Sequence, residues 1–229
     1  MHVPDGFLDA PTSIATAVVA AGGVAAAIRG TRRDLDERTT PMAGLVAVFI
    51  FAAQMINFPV GAGTSGHLLG GALAAVLAGP WLATLALTVV LILQAFLFAD
   101  GGITALGTNV LLMGLVGVWT GWLVFRAASH LLPRRLTSVA PAAAIGALVS
   151  VPVAAAAFAG LFAIGGQADI PVVAVLTAMV SWHLLIGIGE ALITALVVGS
   201  VVAVRPDLVY GARPLLGARP LEIRQGVTP

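Results

Sequence analysis

Between Ser138 and Ile164 the chain carries no charged side chain, and Val172–Val204 carries a single one, Glu190. An α-helix needs about 20 predominantly apolar residues to cross the hydrocarbon core of a bilayer, where its backbone must satisfy its own hydrogen bonds. Runs of this kind recur along the chain. Hydropathy places them at Thr12–Arg29, Met42–Phe58, Gly66–Gly79, Trp81–Ala99, Ala105–Ala128, Ser138–Ile164 and Val172–Val204. This predicts an all-α membrane protein, a polytopic bundle of about seven transmembrane helices. The third run is short for a crossing, and Gly66, Gly70, Gly71 and Gly79 predict a tilted or irregular helix lying against protein. The seventh is too long for one crossing, so Val172–Met179 is expected as a separate short helix.

Charge sets the orientation. Only 9% of the 229 residues are charged, against about 25% in soluble chains. All 11 basic residues are arginines. With seven spans they fall on one side: Arg29, Arg32, Arg33 and Arg38 around the first loop, Arg126, Arg134 and Arg135 around the fifth, and Arg205, Arg213, Arg219 and Arg224 in the tail. The positive-inside rule makes that side cytoplasmic, which predicts the N-terminus outside and the C-terminus inside. The outer face then holds Asp5, Asp9, Asp100 and Asp169, which either attract cations or merely solvate loops. Residues 1–204 read as one transmembrane domain with an N-terminal loop over 1–11. The Pro-, Gly- and Arg-rich stretch 205–229 reads as a flexible cytoplasmic tail.

Composition also excludes chemistry. A net charge of +1 gives no basis for nucleic-acid binding. Without cysteine there is neither a disulfide nor a thiolate metal site. Without lysine there is no phosphate-binding loop of the Walker A type, so an ATPase driving uphill transport would be another chain. Met1–Pro11 carries Asp5 and Asp9 and no arginine, unlike the basic start of a secretory signal, so the N-terminal residues are expected to remain.

The opening Met-His pair has a specific chemical capacity. The α-amine, the residue-2 amide nitrogen and imidazole Nδ1 of His2 can close two fused chelate rings on one metal, leaving a fourth planar position open. Planar nitrogen fields suit Ni(II) or Cu(II), accept Co(II), and suit Zn(II) or Mg(II) poorly. The alternative is an ordinary exposed histidine. His67, in Thr64-Ser65-Gly66-His67-Leu68-Leu69-Gly70-Gly71, falls on the same face of the membrane. It is either the fourth donor or a hydrogen-bonded interfacial residue. Gln54, Asn57 and Asn109 are further polar groups close to span ends. His183 and Glu190 are seven residues apart on one helix face. They read as a proton relay, a second metal site or a helix-packing pair, and a separation of roughly 10 Å argues against both binding one ion.

Four ordered motifs carry a family resemblance. They are Met1-His2-Val3-Pro4-Asp5-Gly6-Phe7-Leu8, Asn57-Phe58-Pro59 with Thr64–Gly71, Gly101-Gly102-Ile103-Thr104-Ala105-Leu106-Gly107-Thr108-Asn109, and Gly187-Ile188-Gly189-Glu190-Ala191-Leu192-Ile193-Thr194. From Met1 to about Val204 the chain resembles the CbiM/NikM family, the substrate-capture membrane subunits of energy-coupling-factor transporters for cobalt and nickel. The resemblance implies a helical bundle into which the N-terminal segment plugs. It implies that Met1 (amine), His2 (amide and imidazole) and His67 bind transported Co(II) or Ni(II), with no catalytic cofactor and no enzymatic activity. It implies as partners a transmembrane coupling subunit, two cytoplasmic ATPase subunits and a small accessory membrane subunit, all at the cell membrane. Asp5, Asn57 and Asn109 lie within these motifs and are expected to hold the N-terminal loop in place. Two rivals are a stand-alone nickel or cobalt permease using His183 and Glu190 as an ion or proton path, and a membrane-embedded metal hydrolase. The latter lacks a His-Glu-x-x-His pair or other clustered ligands with a base.

Overall fold

The computed structural model describes residues 1–34, 39–61 and 64–216. It is helical, with one small hairpin. In chain order the elements are α1 (Ala10–Asp34), α2 (Thr39–Gln54), β1 (Phe58–Gly61), β2 (Thr64–Gly66), α3 (Gly71–Ala78), α4 (Pro80–Leu97), α5 (Leu106–Leu131), α6 (Val139–Gly165) and α7 (Val172–Val204). Five stretches are long and apolar enough to cross a membrane: Ala10–Arg32, Pro80–Leu97, Leu106–Leu131, Leu136–Gly165 and Val172–Val204. Exposed leucines and isoleucines on α7, among them Leu185, Ile188, Leu192 and Leu196, form an apolar outer face suited to lipid.

The expected third span is replaced by three different pieces. Residues 64–66 pair with β1 in an antiparallel hairpin, residues 67–70 are irregular, and α3 is an eight-residue helix. Eight residues rise about 12 Å, too little to cross a bilayer unaided. Every residue of α3 is buried, as a helix apolar on all sides must be. It packs against α2, α4, α5, α6 and the turns after α7, and so forms the centre of the bundle.

Two other expectations are corrected. Val172–Met179 does not form a separate helix. It opens a continuous 33-residue α7, because Pro171 immediately precedes the helix and no proline or charge interrupts its first turns. The tail is not loose from Arg205 onwards. Pro206–Leu208 and Tyr210–Leu215 form 3₁₀ turns with Val209 and Ala212 buried, and Tyr210 packs against Trp122. Residues 217–229, with Arg219 and Arg224, and Arg38 of the first loop lie outside the described residues.

Inside α5 the stretch Val110–Gly117 is wound as a π-helix. The Thr84 hydroxyl of α4 lies 3.0 Å from the carbonyl of Gly114 in this stretch, tying α4 to α5. Such widened turns often mark functional regions. This one follows Asn109, which reaches the N-terminal segment.

Candidate metal centre

The first nine residues thread into one end of the bundle. Met1 and Val3 are 1% exposed and His2 is 6% exposed. Burial on this scale requires partners for the backbone, and the loop between α4 and α5 supplies them. Asn109 of α5 accepts from the Val3 amide at 2.8 Å and donates to the Val3 carbonyl at 3.2 Å, while the Gly102 amide donates to that carbonyl at 2.9 Å. Asp5 accepts from the Thr104 amide at 2.7 Å and the Thr104 hydroxyl at 2.5 Å. These bonds hold the Asp5 carboxyl below the usual range, against a small opposing effect of burial. Further along, Leu8 bridges to Gly166, the Asp9 amide donates to the Gly165 carbonyl at 2.7 Å, and Phe7 packs on Phe158 and Phe162. Asp9 then caps α1 by accepting from the Thr12 amide at 2.8 Å.

The glycines of this loop have a steric reason. Gly101 has φ +89°, and a Cβ there would sit 3.1 Å from Asn109 Nδ2 and 3.2 Å from His2 Cδ2. At Gly102 a Cβ would collide with the backbone nitrogen and carboxylate of Asp5.

This threading carries His2 onto His67. Their rings stack with centroids 4.4 Å apart and planes 25° from parallel. His2 Nε2 donates to Gln94 Oε1 at 3.2 Å, and the other ring nitrogen is Nδ1. That Nδ1 lies 3.1 Å from Asp100 Oδ1, within ion-pair distance but out of line for a hydrogen bond. His67 Nδ1 donates to the Leu68 carbonyl at 2.8 Å, and its Nε2 is buried with no hydrogen-bond partner. Metal-binding histidines have this arrangement: one nitrogen fixed by an oxygen acceptor, the other left as a donor.

The electrostatics favour uncharged donors. Burial pushes the Met1 amine well below its ordinary pKa, with Asp100 opposing the shift. Burial likewise depresses His67, reinforced by the positive charges of the amine and of His2. Burial works against ionisation of Asp100, yet the neighbouring His2 ring, the amine and Asn57 outweigh it and hold its carboxyl below the usual range. Burial thus disfavours the charged forms of the amine and of His67 beside the Asp100 carboxylate. Among the described residues no group of three His, Cys, Asp or Glu side chains converges as a metal cage.

The other sequence candidates fall into two groups. Asp5, within the N-terminal segment, bonds to Thr104, and Asn109 bonds to Val3 of that segment. Asn57 does not; its Nδ2 is 3.5 Å from Asp100 Oδ2, so it touches the carboxylate that faces His2. His183 and Glu190 do not bond to each other. His183 Nδ1 donates to the Met179 carbonyl of its own helix at 2.8 Å, and Glu190 accepts from the amides of Leu69 and Gly70. Both Glu190 oxygens are thus engaged by backbone.

Asp100 and Gln94 are neighbours of the site that the sequence reading did not assign to it. Gln94 was legible as the single side-chain amide in the apolar run of α4. Asp100 was legible as the acid abutting Gly101-Gly102. At the opposite end of α5 from Asn109 a cavity of about 500 Å³ is lined by Trp122, Arg126, His130, Arg134, Arg135 and Tyr210.

Residues 2–208 match the family described as the cobalt uptake substrate-specific transmembrane region, CbiM. The chain is 35% identical over 240 residues to the fused nickel transport protein NikMN of Rhodobacter capsulatus, an alignment covering 99% of this chain and 69% of that protein. It is 33% identical over 216 residues to the cobalt transport protein CbiM of Sorangium cellulosum, covering 91% and 94% respectively. Its fold superposes on a crystal structure described as a truncated transition metal transporter, with a TM-score of 0.81 and 31% identity over 89% of this chain and 99% of that one. The apolar helices, the buried N-terminal segment and these likenesses lead to one conclusion: the chain belongs to the CbiM family of multi-pass membrane proteins for cobalt and nickel transport.

Proposed function

We propose that this chain captures Co(II) or Ni(II) at the outer face of the cell membrane and delivers it to an energy-coupling-factor complex. The cargo is held by four nitrogens: the Met1 amine, the His2 amide, His2 Nδ1 and His67 Nε2. The observation that carries this reading is the pair of stacked, buried imidazoles, each with one ring nitrogen fixed by an acceptor and the other without a hydrogen bond. Buried polar atoms are nearly always bonded, and an ion is one of the few occupants that explains such exceptions. Three of the four donors lie within residues 1 and 2, whose backbone can reach one plane. That plane suits Ni(II) and low-spin Co(II).

Orientation follows from charge. The metal end carries Asp5, Asp9 and Asp100, whereas the far end of α5 carries Arg126, Arg134 and Arg135. The arginine end is cytoplasmic under the positive-inside rule. There the chain meets a transmembrane coupling subunit and two ATPase subunits, which supply the energy that a chain without lysine or a phosphate loop cannot. The fused NikMN relative suggests that a small accessory membrane subunit works alongside.

A titration of the purified protein with Ni(II) tests the site. The expected result is one yellow, diamagnetic complex per chain. A paramagnetic, six-coordinate spectrum at saturation would overturn the planar nitrogen site.

A further inference from the structure

Glu190 is 1% exposed and sits in the middle of α7, on the face that also buries His183, Gly187 and Thr194. A carboxyl group is expensive in that position and usually answers to function. Its partners lie in the irregular stretch between β2 and α3. Oε2 accepts from the Leu69 amide at 2.9 Å and Oε1 from the Gly70 amide at 2.8 Å. Both oxygens act as acceptors. From the other side Gln54 of α2 donates to the Leu69 carbonyl at 2.8 Å.

The Leu69 amide belongs to the same peptide group as the Leu68 carbonyl, and that carbonyl accepts from His67 Nδ1 at 2.8 Å. The groups therefore form a continuous line: the Glu190 carboxylate, the Leu68–Leu69 peptide, His67 Nδ1–H, and the unbonded His67 Nε2. Hydrogen bonds in series polarise one another in a low-dielectric interior. A carboxylate accepting from the far nitrogen of a metal-bound imidazole fixes its tautomer and strengthens it as a donor. Here one peptide group is interposed. We infer that Glu190 is a positioning residue for metal capture, acting across the Leu68–Leu69 peptide to aim His67 Nε2 and to raise its donor strength. This rests on the reading of His67 as the fourth donor.

The test is a double-mutant cycle on the full-length protein in detergent or nanodiscs, with Ni(II) alone as the probe. Glu190→Gln keeps one acceptor but turns an NH₂ group toward a backbone N–H. It is expected to weaken Ni(II) binding by about 10- to 100-fold and to move the visible ligand-field band to longer wavelength. Glu190→Asp should recover part of both effects. In a His67→Ala background Glu190→Gln should cost almost nothing more, because the group through which it acts is gone. An equal loss in both backgrounds, or an unshifted band in the single variant, would overturn the inference while His67→Ala alone still tests the ligand reading. If His67→Ala binds Ni(II) as the native chain does, the ligand reading itself fails. If the Glu190 variants do not fold, nitrogen NMR of the histidine-labelled native protein decides. The line requires the metal-free His67 to carry its proton on Nδ1, and the opposite tautomer would overturn it.

Discussion

The imidazole of His67 lies over that of His2 with a centroid separation of 4.4 Å, although one stands at the N-terminus and the other before the central helix α3. Stacking alone would not recruit two histidines into an apolar bundle, since each brings a ring nitrogen that needs a partner. On the proposed reading a shared ion supplies that partner.

Removing His67 should therefore remove a donor and little else. His67→Ala is expected to weaken Ni(II) or Co(II) binding by more than about 100-fold, beyond the range typical of supporting residues. Melting of the metal-free protein should change little. Isothermal titration with a competing chelator measures the first and thermal denaturation the second.

The N-terminus gives a sharper case. A residue placed before Met1, or acetylation, converts the amine to an amide and should abolish tight binding, whereas a tag after Pro229 should not. An alanine inserted between Met1 and His2 keeps amine and imidazole but moves histidine to position three, a register with enough nitrogens for a plane of its own. That variant should bind without needing His67, which competition assays on the insertion with and without His67→Ala would reveal.

Acid should weaken both binding and N-terminal docking. Burial depresses the pKa of the Met1 amine and of His67, so the unfolded chain takes up more protons than the folded one. Stability therefore rises with pH through the window bounded above by the reference values, about 6.5 for imidazole and about 7.7–8.0 for the amine. Metal must displace the proton of the His2 amide and any protons on the other donors, so binding should weaken as pH falls. Calorimetry in buffers of different ionisation enthalpy counts these protons. A metal affinity independent of pH between about 5 and 8 would contradict the donor set.

Asn109 is the strongest single anchor of the N-terminal segment, meeting both the amide and the carbonyl of Val3. Asn109→Leu fits the apolar surroundings but leaves the Val3 amide unpaired, at a cost of about 1–3 kcal/mol. Ni(II) binding should fall by about 10- to 100-fold through misplacement of His2. Hydrogen exchange should report a faster-opening N-terminal segment with the rest of the bundle unchanged.

Uptake in cells should stop when the partner ATPases are inactivated by mutation, while binding by the isolated chain persists. Radioactive nickel accumulation is the readout, and full accumulation with inactive ATPases would favour a stand-alone permease.

Much of this protein was legible in its sequence because the bilayer imposes a simple rule on composition. Long apolar runs locate α4, α5, α6 and α7, since a lipid-facing helix must be apolar along its length. The chelating capacity of the Met1-His2 pair is legible because its donors are neighbours in the chain, and the glycines at 101 and 102 mark a close approach. Hydropathy could not distinguish α3 from a membrane span, because a helix buried in protein and a helix facing lipid are equally apolar. The tertiary structure alone decided that His67 meets His2, that Asp100 and Gln94 face His2, and that Glu190 accepts from the backbone amides of Leu69 and Gly70. Those pairings join residues 65 to 121 positions apart, from His2–His67 to Leu69–Glu190. No local pattern encodes them; they exist only once the helices have packed.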